Sequence, residues 1–142
     1  MPSTVTKAEV WTIEIPDATG VLADKLHGLA QAGADLDFLL GRRQPDKPGR
    51  SVAFATGIKG AKAVKAAKAA GFEKSTLVGA LRVEGPNKPG GVYKLLAPIA
   101  AAGITLRGVS AQTIGNKFVT ILAFNSPEEA KQAAAALKKA KV

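Results

Sequence analysis

A chain of 142 residues, 46% of them hydrophobic, holds one ordinary domain or two very small ones, with enough apolar surface for a packed core. It has no cysteine and one histidine, His27, which excludes disulfides, thiolate zinc sites and thiol nucleophiles and removes most metal and triad chemistry. The longest apolar stretch, residues 95–103, is about half of the ~20 residues a membrane span needs and the first ten residues are polar, so the expectation is a soluble, cytoplasmic protein with no membrane partner.

Residues 10–15 are short, β-favouring and partly alternating, and they end at a turn, Pro-Asp-Ala-Thr-Gly. From 21 to 32, apolar side chains at Val21, Leu22, Leu26, Leu29 and Ala30 follow the three-and-four spacing of one helical face, with Gly33 as the stop. Strands are expected at 35–43 and 51–56, joined by a loop with Pro45, Pro48 and Gly49, then a helix at 60–70 and a short strand at 72–75.

The same order then starts again. A strand over 77–84 ends at Pro-Asn-Lys-Pro-Gly-Gly, and a helical stripe at Val92, Leu95, Leu96 and Ile99 runs to Gly103. Strands over 105–113 and 118–124 flank the hairpin pair Gly115-Asn116. A helix over 126–141 opens on Ser-Pro-Glu-Glu, which supplies a cap, a first-turn proline and acidic residues near the positive dipole end. Pro98 lies inside the second copy's first helix and Gly28 matches it in the first, which predicts a bent helix or one packed closely on a neighbour.

Sliding the chain on itself by 70 residues pairs Glu14 with Glu84, Pro16 with Pro86, Gly20 with Gly90 and Leu26 with Leu96. Ala30/Ala100, Ala32/Ala102, Gly33/Gly103 and Leu36/Leu106 follow without a gap. A duplication explains this register. The expected domains are 1–75 and 76–142, each an α+β ferredoxin-like β-α-β-β-α-β unit with an antiparallel sheet and its helices on one face. The second copy stops before its last strand. Its sheet edge has to be completed by the other copy, by the N-terminal segment or by another chain, and a homodimer is expected.

The segment VEGPNKPGGVYKLLAPIAAAGITLRGV, with its weaker echo IEIPDATGVLADKLHGLAQAGADLDFL, resembles the ACT domain. That resemblance implies regulatory binding of a small molecule, usually a free amino acid, between paired units, and control of an attached or partner enzyme. It also implies the ligand positions. Asn87 stands at the family's Asn, followed by Pro89, Gly90, Gly91 and Val92, and Thr105 stands at the polar entry to the next strand. Asp17, Gly20, Val21 and Asp35 are their counterparts in the first copy.

Side-chain chemistry suits part of this. Glycines at 90 and 91 let a ligand approach the backbone, the helix start presents free N–H groups to an anion, and the Asn87 carboxamide both donates and accepts. Turn formation alone would also select Asn, Pro and Gly. Asp17 would repel a ligand carboxylate, so helix capping is its better reading. Ser110 and Gln112 share one face of their strand and are read as a polar outer face, and His27 as a surface residue.

Basic residues crowd 42–74, and the first copy is expected to hold most of the +9 net charge. The rival function is a basic ferredoxin-like module binding nucleic acid or an acidic protein. Aromatic residues are only 5% of the chain, and no strand matches the paired-aromatic motif of RNA-recognition domains, which argues against nucleic acid. No nucleophile with its base, carboxylate pair or phosphate loop stands at usable spacing, so neither catalysis nor a cofactor is expected.

Overall fold

The computed structural model describes residues 3–142. In chain order the elements are β1 (Thr4–Ala8), β2 (Trp11–Pro16), α1 (Val21–Gln31), β3 (Phe38–Arg43), β4 (Arg50–Thr56), α2 (Ala61–Ala70) and β5 (Glu73–Lys74). They continue with β6 (Gly79–Pro86), α3 (Gly91–Ala101), β7 (Leu106–Ile114), β8 (Lys117–Phe124) and α4 (Pro127–Lys139). No helix among the described residues is long and apolar enough to cross a membrane.

The fold is α+β, with two four-stranded antiparallel sheets of order β3-β4-β2-β5 and β1-β6-β8-β7. Two compact units result. One is Glu9–Ser75; the other joins Thr76–Val142 to the N-terminal segment that carries β1. Residues 3–8, assigned by sequence to the first unit, therefore belong to the second. β1 pairs with β6 from Thr4↔Glu84 to Ala8↔Ala80 and stands where β5 stands in the other sheet. Of the three ways of completing that edge, the N-terminal segment is the one used, although residues 3–8 had not been read as a strand.

Alternation decides which face is covered. In β2, Trp11, Ile13 and Ile15 are buried while Thr12, Glu14 and Pro16 are not, so one face meets the helices and the other faces solvent. The first core gathers these three with Leu29 of α1, Ala63 and Ala67 of α2, and Phe72. In the second unit Leu81, Val83, Leu95, Ile99, Phe118, Leu122, Phe124 and Leu137 do the same. Small residues bring α4 close to its sheet: a Cβ on Gly79 would lie 2.5 Å from the Ser126 carbonyl oxygen and 2.8 Å from Ala130 Cβ.

The duplication is visible in the backbone. Gly20 and Gly90 precede α1 and α3 with φ of 82° and 77°, and Gly33 and Gly103 follow them with φ of 76° each. Closing hydrogen bonds repeat at the same offset, Ala34 N–H to Leu29 and Ile104 N–H to Ile99. At Gly28 the space for a Cβ is open, so close packing on a neighbour does not explain that residue. α4 is capped as its sequence predicts, with the Ser126 hydroxyl accepting from the Glu129 N–H at 3.1 Å.

The charge distribution corrects the sequence reading. Glu9–Ser75 carries ten Lys/Arg against eight Asp/Glu, whereas the rest of the chain carries ten against three. The excess is therefore +2 and +7, and it belongs mainly to the second unit. The dense basic run at 42–74 is offset by acids earlier in the same unit, among them Glu14 and Asp17, which pair with its members.

Candidate functional site

Each unit sends a strand through a tight turn into a helix. Pro16 of β2 pairs with Arg50, and Pro86 of β6 with Lys117. Just beyond, the Asp17 N–H donates to the Gly49 carbonyl at 2.9 Å and the Asn87 N–H to the Asn116 carbonyl at 2.8 Å. Both turns then reach a left-handed glycine, a conformation open to Gly and strained for most other residues. Neither helix has a side-chain cap there; the Val21 N–H donates to the Ala18 carbonyl at 3.4 Å and the Gly91 N–H to the Lys88 carbonyl at 3.0 Å, so the N–H groups open to a guest are those of the next two residues of each helix.

In the second unit Asn87, Pro89 and Gly90 form the exposed turn, Gly91 opens α3 and Val92 is 39% exposed. No side chain crowds the two glycines: a Cβ on either would meet nothing within 4 Å. Lys88 lies in the turn and Lys117 opposite it, so its surroundings are cationic. In the first unit Gly20 precedes α1 and Val21 begins it, half-buried against the core.

Asp17 does not cap α1. Its carboxylate is held by Arg43, with Nε 2.9 Å from Oδ2, and by the Ser51 hydroxyl, which donates to Oδ1 at 3.1 Å. It stands three residues before the left-handed Gly20, and cross-strand neighbours reach it first. Arg43 pairs with Ser51 and Ser51 with Ile15, which brings the end of β3 to the Asp17 turn. The charge objection raised from sequence loses force, because that carboxylate sits against a guanidinium.

A groove of about 380 Å³ opens at this point in the first unit, lined by Ile15, Asp17, Leu22, Gly41, Arg43 and Ser51 among others. Sequence reasoning missed the last three. The signal was there: closing the hairpin at 44–49 sets 43 opposite 51, and the strand order carries that pair to the turn. From sequence alone Arg43 reads only as surface charge.

Asp35 and Thr105 do not join the turns within their own units. Thr105 precedes β7, whose first residue Leu106 pairs with Phe124, itself opposite Gly79, at the far end of the sheet from Pro86. Asp35 is at the corresponding far end in the first unit, where the Asp37 N–H donates to the Thr56 carbonyl and the Thr56 hydroxyl to the Asp37 carboxylate. Ser110 and Gln112 oppose Ile121 and Val119, on the face away from the helices. Glu14, on the open face of β2, accepts from Lys47 at 3.1 Å and Gln44 at 3.3 Å; these bonds, the Lys47 bond first, hold its carboxyl below the ordinary glutamate value.

The family model of the ACT domain matches residues 79–142. The ligand-free regulatory subunit of aspartate kinase from Thermus thermophilus is similar in structure, at 21% identity and a TM-score of 0.67, over 99% of this chain and 97% of that one. A protein of Bacteroides thetaiotaomicron is similar at 21% identity and a TM-score of 0.75, over 97% and 91%. The aspartate kinase regulatory subunit of Thermus flavus gives 20% and 0.64, over 99% and 97%. At such identities the likeness is one of fold. No curated protein matches the chain.

Proposed function

Because residues 79–142 are an ACT domain and residues 9–75 repeat its element order and its turn glycines, we propose that this tandem ACT-domain chain is a regulatory protein that binds a free amino acid. The observation that carries the reading is the pair of strand-to-helix turns, each with a left-handed glycine, free helix N–H groups and open space above them. A ligand carboxylate suits such a turn. The principal contact is the turn from Asn87 to Val92, where a carboxamide stands beside Pro89, Gly90 and Gly91 and lysines surround it. The regulatory subunits of aspartate kinase that share the fold support a role exerted on an enzyme rather than catalysis by the chain itself.

Self-association is part of the proposal. β7 is the outermost strand of its sheet, nine residues long, with Val109 50% and Ile114 71% exposed, an edge that proteins do not commonly leave unprotected. A second copy laid on that edge would make the chain a homodimer, and ligand binding would stabilise the paired form.

A thermal-shift screen of the twenty amino acids tests the function. At least one is expected to raise the unfolding temperature, with a smaller rise for Asn87→Ala. No shift with any of them, together with salt-sensitive binding to nucleic acid, would remove the reading and promote its rival. A shift unchanged by Asn87→Ala would keep the function and remove Asn87 from the site.

A further inference from the structure

The second unit gathers its excess charge at one end. β6 runs from Gly79, beside Ser126 and Ala130 at the start of α4, to Pro86, which pairs with Lys117. α4 packs along β6 from the Gly79 end, and its 13 residues span about 20 Å, so its last turn comes to the Pro86 end. Leu137 accordingly joins the core that holds Val83 and Phe118, with Val142 packed against it. The turn into α3 lies at the same end, where the Asn87 N–H reaches the Asn116 carbonyl. This brings together Lys88 of the turn, Lys94 near the start of α3, Lys117, and Lys138, Lys139 and Lys141 from the end of α4, all exposed. Among the described residues none of the six forms an ion pair, and segments 85–94, 113–118 and 137–142 contain no aspartate or glutamate. Glu84 is held by Arg82 at 2.8 Å, and Glu128 and Glu129 open α4 at the opposite end.

The first unit is an internal control. Matched on the strand pairs and on the closing bonds of the helices, the six positions there are Ala18, Asp24, Arg50, Lys68, Ala69 and Gly71. Two bases against one acid leave a single positive charge where the second unit has six. One of the six is also held at a conformational cost. Lys141, with φ of 59°, is the sole left-handed non-glycine among the described residues, and its N–H donates to the Lys138 carbonyl as that of Gly71 donates to Lys68. Glycine closes a helix in this way more easily, so folding alone does not select the lysine.

A one-signed surface of this kind draws in and orients an oppositely charged surface. The chain's own net charge of +9 opposes a second copy there. All five arginines lie elsewhere, so this end lacks the planar fork that suits phosphate, and Tyr93 is its one exposed aromatic, too little to stack successive bases. Separate ammonium groups around one tyrosine fit carboxylates spaced along a peptide. We propose that the lysine-bearing end of the second unit docks an acidic segment of a partner protein, a run of aspartate and glutamate whose apolar residues lie on Tyr93. The surface goes beyond the amino-acid site proposed above and does not depend on it.

Fluorescence anisotropy on the full chain tests this with a labelled peptide of about a dozen residues repeating Glu-Glu-Leu, and with single-stranded DNA of equal formal charge as the rival probe. The peptide is expected to bind more tightly than the DNA and to weaken as salt is raised. Lys88→Glu, Lys138→Glu and Lys139→Glu together should weaken it at least about tenfold. Lys62→Glu, Lys65→Glu and Lys68→Glu together, on the exposed side of α2, change the net charge equally and should weaken it less than about twofold. Should acids at the end of α4 disturb folding, as read by circular dichroism, Lys88→Gln with Lys117→Gln leaves that helix untouched and should weaken binding about threefold or more.

Equal losses in the two triple variants overturn the proposal, because net charge rather than this end would then account for binding. So does a peptide that fails to bind at low salt. Tighter binding of the DNA through the same lysines overturns it as well and makes the partner a nucleic acid. The amino-acid thermal shift of the parent chain is a separate result: its absence removes the sensing function and leaves the docking surface standing.

Discussion

The cross-strand pair Ile15↔Ser51 of the first unit becomes Gly85↔Phe118 at the equivalent register of the second, so the bulky member has changed strands, and a double-mutant cycle can test that exchange in the second unit. Phe118→Ser removes a buried ring and should cost about 3–5 kcal/mol, as large-to-small changes at phenylalanine do. Gly85→Ile places a branched side chain where even a Cβ would stand 3.1 Å from Phe118 Cε1 and 2.8 Å from Ser3 Oγ, an overpacking cost of about 1–3 kcal/mol. Independent effects would sum to about 4–8 kcal/mol, enough to unfold many domains of this size. In the double variant the obstructing ring is gone and the isoleucine fills part of the hole, so the total should be at least ~1–3 kcal/mol smaller than the sum. Urea unfolding followed by far-UV circular dichroism reads this cycle. Trp11, the sole tryptophan, lies in the first unit, so its fluorescence serves as the internal control and should not move. Additivity within about 0.5 kcal/mol would refute the idea that 85 and 118 share one space.

Two further predictions follow from single contacts. Gly79→Ala should destabilise the second unit by about 1–3 kcal/mol, because its Cβ meets backbone atoms of Ser126 and Pro127 that cannot swing aside, whereas Gly108→Ala, whose Cβ would stand 3.9 Å from Ala123 Cβ, should be neutral or slightly stabilising in the same assay. Glu14 has a folded-state pKa below its unfolded value, so its contribution is present above the ordinary glutamate value and is lost as pH falls through the lowered one; an NMR titration should show this low midpoint, and Lys47→Met should raise it.

Much of the fold was legible because it is written twice. A strand ending at Pro, a glycine four residues later, an apolar stripe and another glycine recur 70 residues apart, and both glycine pairs are left-handed in the structure. β1 was not legible: five residues reading Thr-Val-Thr-Lys-Ala offer one half-buried valine, and only β6, lacking a fourth strand on its other side, makes a strand of them. The same limit applies at Asp17. Local chemistry makes an Asp before a helix a capping residue, and only the register of β2, β4 and β3 shows that Arg43 and Ser51 reach it first. The net charge misled for another reason: the run at 42–74 is dense, but its counter-ions come from earlier in the chain, while the second unit's lysines are scattered and almost unopposed.

Both turns place the same backbone groups at the same positions, so a guest recognised through helix N–H groups alone would bind the two units about equally. Any difference between them must come from the side chains that diverged: Asp17, Arg43 and Ser51 in one, Asn87, Thr113 and Phe118 in the other. The first set carries both charges and leaves a groove. The second is neutral, with Lys88 in the turn and Lys117 opposite it, and its ring is buried beside Gly85. Affinity for a zwitterion is therefore expected to differ between the units, with the first depending on charge pairing and side-chain size and the second on the turn itself. Two unequal sites fill over a wider range of ligand concentration than two equal ones, so the divergence within the repeat, rather than the repeat itself, would set the range over which the protein responds.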